Sequence, residues 1–398
     1  MLDNKHPYDE LERDREGRLL KSEGNLLKAL AWAGVVLRYD EFGGEYRIEG
    51  LEGYGPRLDD DAVDELYLLI AREYYLKLAI VDFRRIIKAA ARRARFHPVR
   101  DYLASVSLRW DGVERLNTWL ISYGGAKDTE FVRAVGRICL MAAVRRVRQP
   151  GCKFDEMVVL ESPEGRNKST AFLVLAGEAW FTDEAPLTEK PREVIEQLRG
   201  KWIVECADLD GMRRADVTTL KKFLSRRVDS STLKYKEETT HFQRQCIFVG
   251  STNEDNYLLS TTGNRRFWPV AIEQFDIVRL TRDRDQLWAE AALCEDADES
   301  IRLPRHLWAA AGQEQALRTP VDEWEHLVAS WLESEAKDKR LPGIDDYRTT
   351  IAAVAAGALE IKADKLDQRV IDRVTRCMKK AGWHMAQRSN GKNWWKKV

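Results

Sequence analysis

No part of this 398-residue chain is apolar over anything close to the ~20 residues a membrane-spanning helix needs; Ala29–Leu37 and Ile351–Leu359 stop far short. The N-terminus, MLDNKHPYDELERDREGR, is acidic and polar where a secretory signal is apolar. No CxxC pair occurs among the six scattered cysteines (Cys139, Cys152, Cys206, Cys246, Cys294 and Cys377), and several of them sit inside apolar runs. That pattern argues against a disulfide framework or a zinc site and implies reduced thiols in a cytoplasmic protein. Internal repeats and low-complexity tracts are missing as well. Net charge is also lacking, since 65 basic and 65 acidic residues cancel. The cancellation is only global. Phe83–Arg100 holds seven Lys/Arg and no acid, and Arg373–Val398 holds eight and no acid. Phosphate binding responds to local charge, so these runs keep a nucleic-acid partner open.

What is present reads as several segments. Residues 1–21 form a charged leader, expected to be mobile. Residues 22–110 mix an amphipathic helix (NLLKALAWAGVVL), a hairpin-like stretch (LRYDEFGGEYRIEG) and further helices, which together read as a small α+β domain. Residues 111–150 read as a helical connector. From 151 to 300, short apolar runs alternate with helical ones: EMVVL, KWIVE and QCIFVGSTN as strands, REVIEQLRG and DVTTLKKFLSR as helices. Such alternation predicts an α/β core with a parallel sheet. Residues 301–323 read as a linker. Residues 324–398 carry two helical stretches followed by the basic QRSNGKNWWKKV, a pattern that fits a winged-helix-like DNA-binding domain.

One decamer, ESPEGRNKST (Glu161–Thr170), poses the chemical question. It follows an apolar strand and opens a helix, which is where a phosphate-binding loop sits. Backbone N–H groups of such a loop point at a polyphosphate, and the helix N-terminus adds its dipole. Lys168 would then reach the terminal phosphates and Ser169 would ligate magnesium, with Gly165, Asn167 and Thr170 completing the loop. The usual framing glycines are replaced by Ser162 and Asn167. Asn is the non-glycine residue that best tolerates positive φ, and Ser is small. The bland alternative is a surface turn with a chance Lys-Ser-Thr.

Neighbouring strands supply what phosphate hydrolysis needs. KWIVECADLD ends in Glu205 with Asp208 three residues on, an acidic pair able to hold magnesium and activate water. CIFVGSTN ends in Asn253, able to orient that water. TTGNRRFWPV places Arg265 and Arg266 ahead of a further strand, where they either meet solvent or project toward a neighbour's phosphate.

The phrases FHPVRDYL, WDGVERLNTWL, PGCKFDEMVVLESPEG, WFTD, KWIVE, LKKFLSR, FVGSTN, TGNRRFWPV and DRDQLWAEA run in order across about 96–292. Together they resemble the virulence-associated protein E family, phage- and island-encoded relatives of superfamily 3 helicases among the AAA+ ATPases. This chain departs from the family pattern at Ser162 and Asn167, usually glycine, and at Ser260, commonly acidic. The resemblance implies a P-loop AAA+ core that binds ATP and Mg2+. It implies Lys168 and Ser169 as nucleotide ligands, Glu205 and Asp208 as the acidic pair, Asn253 as sensor, and Arg265/Arg266 as fingers acting on a neighbouring subunit. In related ring helicases the insert KKFLSRRVDSSTLKYKEETTHFQRQ carries a pore hairpin. Lys221, Lys222, Arg226, Arg227, Lys234, Lys236 and Arg244 would track a strand's phosphates there, with Tyr235 free to stack on a base. Lys392 and Lys396 are the expected DNA contacts of the C-terminal hairpin.

The expected function is an ATP-dependent DNA helicase or translocase of phage or mobile-island replication. It would act on single-stranded DNA as a homo-oligomeric, expectedly hexameric, ring, with any primase on another chain. Two alternatives remain: a weakly catalytic or non-catalytic DNA-binding initiator with a degenerate nucleotide site, and an accessory ATPase of a bacterial defence system.

Overall fold

A computed structural model describes residues 10–185, 190–207, 209, 214–232, 239–254, 257–258, 263–320, 322–338, 348–389 and 392–397. The chain divides into two compact units, Met1–Arg318 and Thr319–Val398.

The first unit begins with an α+β layer: α1 (Glu23–Trp32), β1 (Val36–Asp40), β2 (Glu45–Glu49), α2 (Asp60–Glu73), α3 (Ile80–Arg93) and β3 (Arg95–Phe96). Helix α1 starts where the Ser22 hydroxyl accepts the Asn25 amide, and α2 starts the same way at Asp59 and Ala62. Strands β1 and β2 form an antiparallel hairpin, and β3 joins β1 in parallel. Helix α3 turns Phe83, Ile86, Ile87 and Ala91 inward against Leu26, Ile48, Leu66 and Ile70. Its basic residues are left on the outer face. Residues 10–21, expected to be mobile, are partly docked: Leu11 is buried in this core. The buried Asn25 side chain accepts the Glu12 amide and donates to the Glu12 and Leu20 carbonyls. One buried amide two residues into α1 thus holds the leader, a contact that local polarity hides.

Three helices follow, α4 (Pro98–Ser107), α5 (Trp119–Gly124) and α6 (Glu130–Arg148). Then comes the α/β core: β4 (Met157–Glu161), α7 (Lys168–Ala176), β5 (Phe181–Thr182), α8 (Pro191–Leu198), β6 (Ile203–Cys206), α9 (Arg214–Leu224), β7 (Val228–Thr232), β8 (Thr239–Gln243), β9 (Ile247–Thr252), β10 (Phe267–Ala271), α10 (Ile277–Asp296) and α11 (Trp308–Leu317). Five strands form one parallel sheet in the order β10-β4-β9-β6-β5. Strands β4, β6 and β9 are buried along their whole length, which a parallel sheet covered on both faces requires. Alternation then sorts their side chains. Val158, Leu160, Ile203, Val249 and Trp268 meet the core shared with α6, α7 and α10. Met157, Val159, Val204 and Phe248 meet α8 and α9 on the other face. Trp202 stacks on Trp288 at 4.1 Å and its indole donates to the Ala143 carbonyl at 2.9 Å, which ties β6 to α6 and α10. The 301–323 segment, expected to be a linker, contains α11. Gln315 of α11 donates to the Phe267 carbonyl at 2.9 Å, so this helix packs on β10 inside the first unit.

The second unit contains α12 (Glu323–Asp338), β11 (Arg348–Thr349), α13 (Ile351–Leu359), α14 (Gln368–Lys380), β12 (Trp383–Ser389) and β13 (Lys392–Lys397). Its sheet order is β11-β13-β12, and Trp383 and Trp395 lie in its small core beside Val354, Val374 and Met378.

Candidate nucleotide site

The loop between β4 and α7 emerges at the carboxyl ends of the parallel strands, where open α/β sheets place their ligands. Its backbone needs left-handed residues at two points, and the sequence supplies Gly165 (φ 78°) and Asn167 (φ 61°, ψ 28°). Asn167 is therefore a functional stand-in for glycine in conformation. Its side chain donates to the Phe275 carbonyl at 3.4 Å, while the Phe275 amide donates to the Arg166 carbonyl at 3.2 Å. The loop is thereby fastened to the segment leaving β10.

Lys168, the first residue of α7, is buried and folds back over the loop. Its ammonium donates to the Ser162 carbonyl (2.7 Å), the Ser162 hydroxyl (3.0 Å), the Pro163 carbonyl (3.1 Å) and Asn253 Oδ1 (2.9 Å). Ser169 donates its hydroxyl proton to Glu205 Oε1 at 2.8 Å, and Glu205 is fully buried at the end of β6. Residues from β6, from the end of β9 and from the β4–α7 loop thus meet at one edge of the sheet. Lys168, Ser169, Glu205 and Asn253 are brought together, and Ser162 joins them as a Lys168 acceptor. Thr170 is exposed on the first turn of α7. Asp208 and Ser260 lie outside the described residues. Beside Glu205, burial pushes the Cys206 thiol up to about 12, so it stays protonated near the carboxylate.

Arg265 and Arg266 sit elsewhere. They occupy a one-turn 3-10 segment, Asn264–Arg266, that enters β10. Strand β10 runs parallel to β4 with Phe267 beside Met157 and Ala271 beside Glu161. The arginines therefore lie at the opposite end of the strands from the loop, roughly 15 Å away at the usual strand rise. They border a cavity of about 440 Å3 with Asp155, Trp268 and Trp308. Arg266 Nε is buried without a hydrogen bond among the described residues, its nearest carboxylate oxygen, on Asp155, being 4.0 Å off.

Three residues not singled out in the sequence support the loop. Glu161, the last residue of β4, is clamped by Arg318 (2.7 and 3.0 Å) and accepts the Tyr257 hydroxyl at 2.8 Å. The available signal was a carboxylate ending an otherwise apolar strand, since a buried charge needs a partner. No group of three or more His, Cys, Asp or Glu capable of holding a metal occurs among the described residues. Magnesium at such a site relies on one or two carboxylates, phosphate oxygens and water, which Ser169 and Glu205 fit.

The insert between α9 and β9 departs from expectation at Arg244. This side chain is fully buried, pairs with Asp229 at 2.5 and 3.0 Å, donates to the Phe223 carbonyl at 2.6 Å and lies over the Phe223 ring. It is a structural cation and cannot track a DNA strand. Lys221 is buried too, and its ammonium donates to Asn264 at 2.8 Å. Lys222, the next residue of α9, is exposed. Arg227 donates to the Gly151 carbonyl at 2.6 Å, and Arg226 stays half-buried 3.9 Å from Asp229. Lys234, Tyr235 and Lys236 lie outside the described residues, as does the side chain of Lys392. Lys396 is half-buried on β13, opposite His384.

No curated protein matches this sequence. A solved structure of the apo C-terminal region of NrS-1 (305–718) is similar with TM-score 0.51 and 11% identity, over 94% of this chain and 98% of that one. Two further structures of that NrS-1 region reach TM-score 0.49 at 11% identity, covering 94% and 95% of this chain and 98% and 100% of theirs. At such identity the first likeness concerns the fold alone. The family model for the virulence-associated protein E-like domain matches residues 103–319, more than half of the chain, and takes in β4 to β10 and the loop. The chain accordingly belongs to the virulence-associated protein E-like family.

Proposed function

We propose that the protein is a DNA-dependent ATPase of the superfamily 3 helicase-like AAA+ type, working as a ring translocase on single-stranded DNA in phage or mobile-island replication. The observation that carries this reading is the convergence of Lys168, Ser169, Glu205 and Asn253 around one loop at the carboxyl edge of a parallel sheet. A polyphosphate would take over the Lys168 ammonium from the Ser162 and Pro163 oxygens, and the α7 amides would receive its oxygens. Magnesium supplies charge neutralisation between the phosphates when bound. Ser169, freed from Glu205, would face that cation, leaving Glu205 to accept a proton from the attacking water. Asn253 holds that water in line. Arg266 is too far from its own loop to stabilise the transferring phosphoryl group, so it would serve a neighbour's, which is why a ring, hexameric by family resemblance, is part of the reading. The second unit is read as winged-helix-like, with α14 offered to a groove and the β12–β13 hairpin to backbone.

One observation favours a weaker nucleotide site. Four acceptors already satisfy Lys168, so ligand binding must break a formed network. Calorimetric titration with ATP and magnesium, beside hydrolysis assays with and without single-stranded DNA, separates the two readings. Saturable binding weakened at least tenfold by Lys168→Ala, about 1.4 kcal/mol, is expected. Equal affinity in the two proteins refutes the site. Binding without DNA-stimulated hydrolysis leaves an initiator in place of a motor.

A further inference from the structure

The acid-free run on α3 belongs to neither the loop nor the family-matched segment, which starts at residue 103. The structure shows which of its charges are spent. Arg84 pairs with Asp60 and Asp64 at 3.1 Å, Arg85 with Asp82 at 3.1 Å, Arg93 with Glu23, and Arg95 with Glu41 at 3.5 Å. Arg100, at the end of the run, donates to the Val147 carbonyl at 2.6 Å, and Lys88 and Arg92 remain. They stand one helical turn apart on the exposed face, and among the described residues neither forms an ion pair.

Both lie against one aromatic ring, the Lys88 ammonium and the Arg92 guanidinium each 5.8 Å from the Tyr46 centroid. Tyr46 faces Tyr39 across the β1–β2 pair with centroids 5.1 Å apart, and among the described residues neither hydroxyl makes a hydrogen bond. A third cation arrives from the core: Arg199 borders the same cleft as Gly43 and Gly44 of the hairpin turn, and while burial raises the Tyr39 hydroxyl, the charges of Arg199 and Arg92 act against that rise. Arg199 is held there because the Gly200 amide donates to the Phe42 carbonyl at 3.3 Å, bringing the end of α8 against the hairpin turn. Three carboxylates border this place, and each has another partner: Asp40 is buried, caps the turn amides of Phe42 and Gly43 and pairs with Arg47 at 3.5 Å, Glu45 pairs with Arg47 at 2.5 Å and Arg57 at 3.7 Å, and Glu196 pairs with Arg192 at 2.8 Å. Arg199 borders a cleft of about 390 Å3 lined by these carboxylates and by Arg57, Lys201 and Trp180. That volume suits one nucleotide unit, since small-ligand clefts begin near ~300 Å3.

Three cations without acid partners, interleaved with two tyrosines whose hydroxyls are open, make up the chemistry that holds a single strand: charge for phosphates, phenols for phosphate oxygens and bases. We propose that Lys88, Arg92 and Arg199, with Tyr39 and Tyr46, form a second contact surface for the phosphodiester backbone of single-stranded nucleic acid, on the α+β layer where the end of α8 meets it and apart from the nucleotide loop. This surface rests on the reading of the protein as a DNA motor and adds to it a guide for the strand before or after the ring.

The test is fluorescence anisotropy of the full chain with a labelled oligothymidylate, and with a duplex of equal length, across a salt series. Lys88→Ala/Arg92→Ala should bind the single strand more weakly and to the same degree for any base composition. Its log K against log salt slope should fall by roughly 1.4, at ~0.7 per single-strand phosphate contact. ATP affinity and thermal midpoint should stay at wild-type values, because both residues are exposed and neither is among the partners of Lys168. Lys88→Arg/Arg92→Lys should restore the slope. If the wild type binds single strands and the double variant has an unchanged slope, the surface is refuted while the DNA reading stands. A slope change confined to the duplex overturns the single-strand assignment. Absence of any DNA binding by the wild type removes both.

Discussion

Replacing Arg318 by methionine takes the cation away from a carboxylate that is built into the sheet. Glu161 ends β4 with a side chain 6% exposed, and Arg318 meets it with 13% exposed. Three contacts between 2.7 and 3.0 Å join the two groups, so the pair is bidentate and dry. Burial, then the charge of Glu161, raises the Tyr257 hydroxyl far above the usual phenol value; it stays a donor to Glu161 at any working pH. Breaking a buried pair from one side costs about 3–5 kcal/mol, because the remaining charge keeps its desolvation penalty. Tyr257 still solvates Glu161, which puts the expected loss at the lower end, about 3 kcal/mol. At about 2 °C per kcal/mol for a large unit, the midpoint should fall by roughly 6 °C. Urea unfolding and calorimetry of Arg318→Met, Glu161→Gln and the double variant measure it. The double variant should be more stable than Arg318→Met alone, since a neutral amide in place of the Glu161 carboxylate leaves no orphan charge. A loss under about 1 kcal/mol, or a strictly additive double variant, would show that the pair is solvent-screened and the reasoning wrong.

Arg266→Ala should bind ATP almost normally yet hydrolyse it at least a hundredfold more slowly, and mixing it with Lys168→Ala protein should recover partial activity by pairing an intact loop with an intact finger. A mixture that stays inactive while co-assembling, judged by size-exclusion chromatography, denies the shared site. For pH, His97 is the informative group: burial lowers its pKa despite its hydrogen bond with Gln245, and its Nδ1 accepts the Arg100 amide as the cap of α4. The folded state holds it neutral while the unfolded chain takes up the proton near the ordinary value of ~6.5. Its contribution is therefore present above that pH and is lost as pH falls below it toward the depressed folded value. Comparing urea midpoints at pH 7.5 and 5.5, His97→Asn, which keeps a capping oxygen, should show a smaller acid loss than wild type; an equal loss would exclude His97 as the source.

Much of the candidate site follows from short-range rules. The apolar runs before Ser162, Asp208 and Asn253 give strands β4, β6 and β9, because only continuous burial suits a covered parallel sheet. Asn167 at φ 61° follows from the tolerance of asparagine for that conformation. What the sequence could not give was which strand ends meet. Lys168 finds Asn253, 85 positions away, and Ser169 finds Glu205, 36 away, only because the order β4-β9-β6 makes those strands neighbours. Parallel pairing of β10 with β4 sent Arg265 and Arg266 to the far end of the same sheet, which no spacing along the chain encodes. The fate of each charge was likewise decided at a distance. Arg244 and Arg92 look alike in a list of basic residues, yet Asp229 and the Phe223 ring draw one into the core while Tyr46 holds the other at the surface. Local sequence fixes conformation because backbone preferences act over a few residues; the partner that satisfies a buried charge comes from wherever the sheet and its helices bring one.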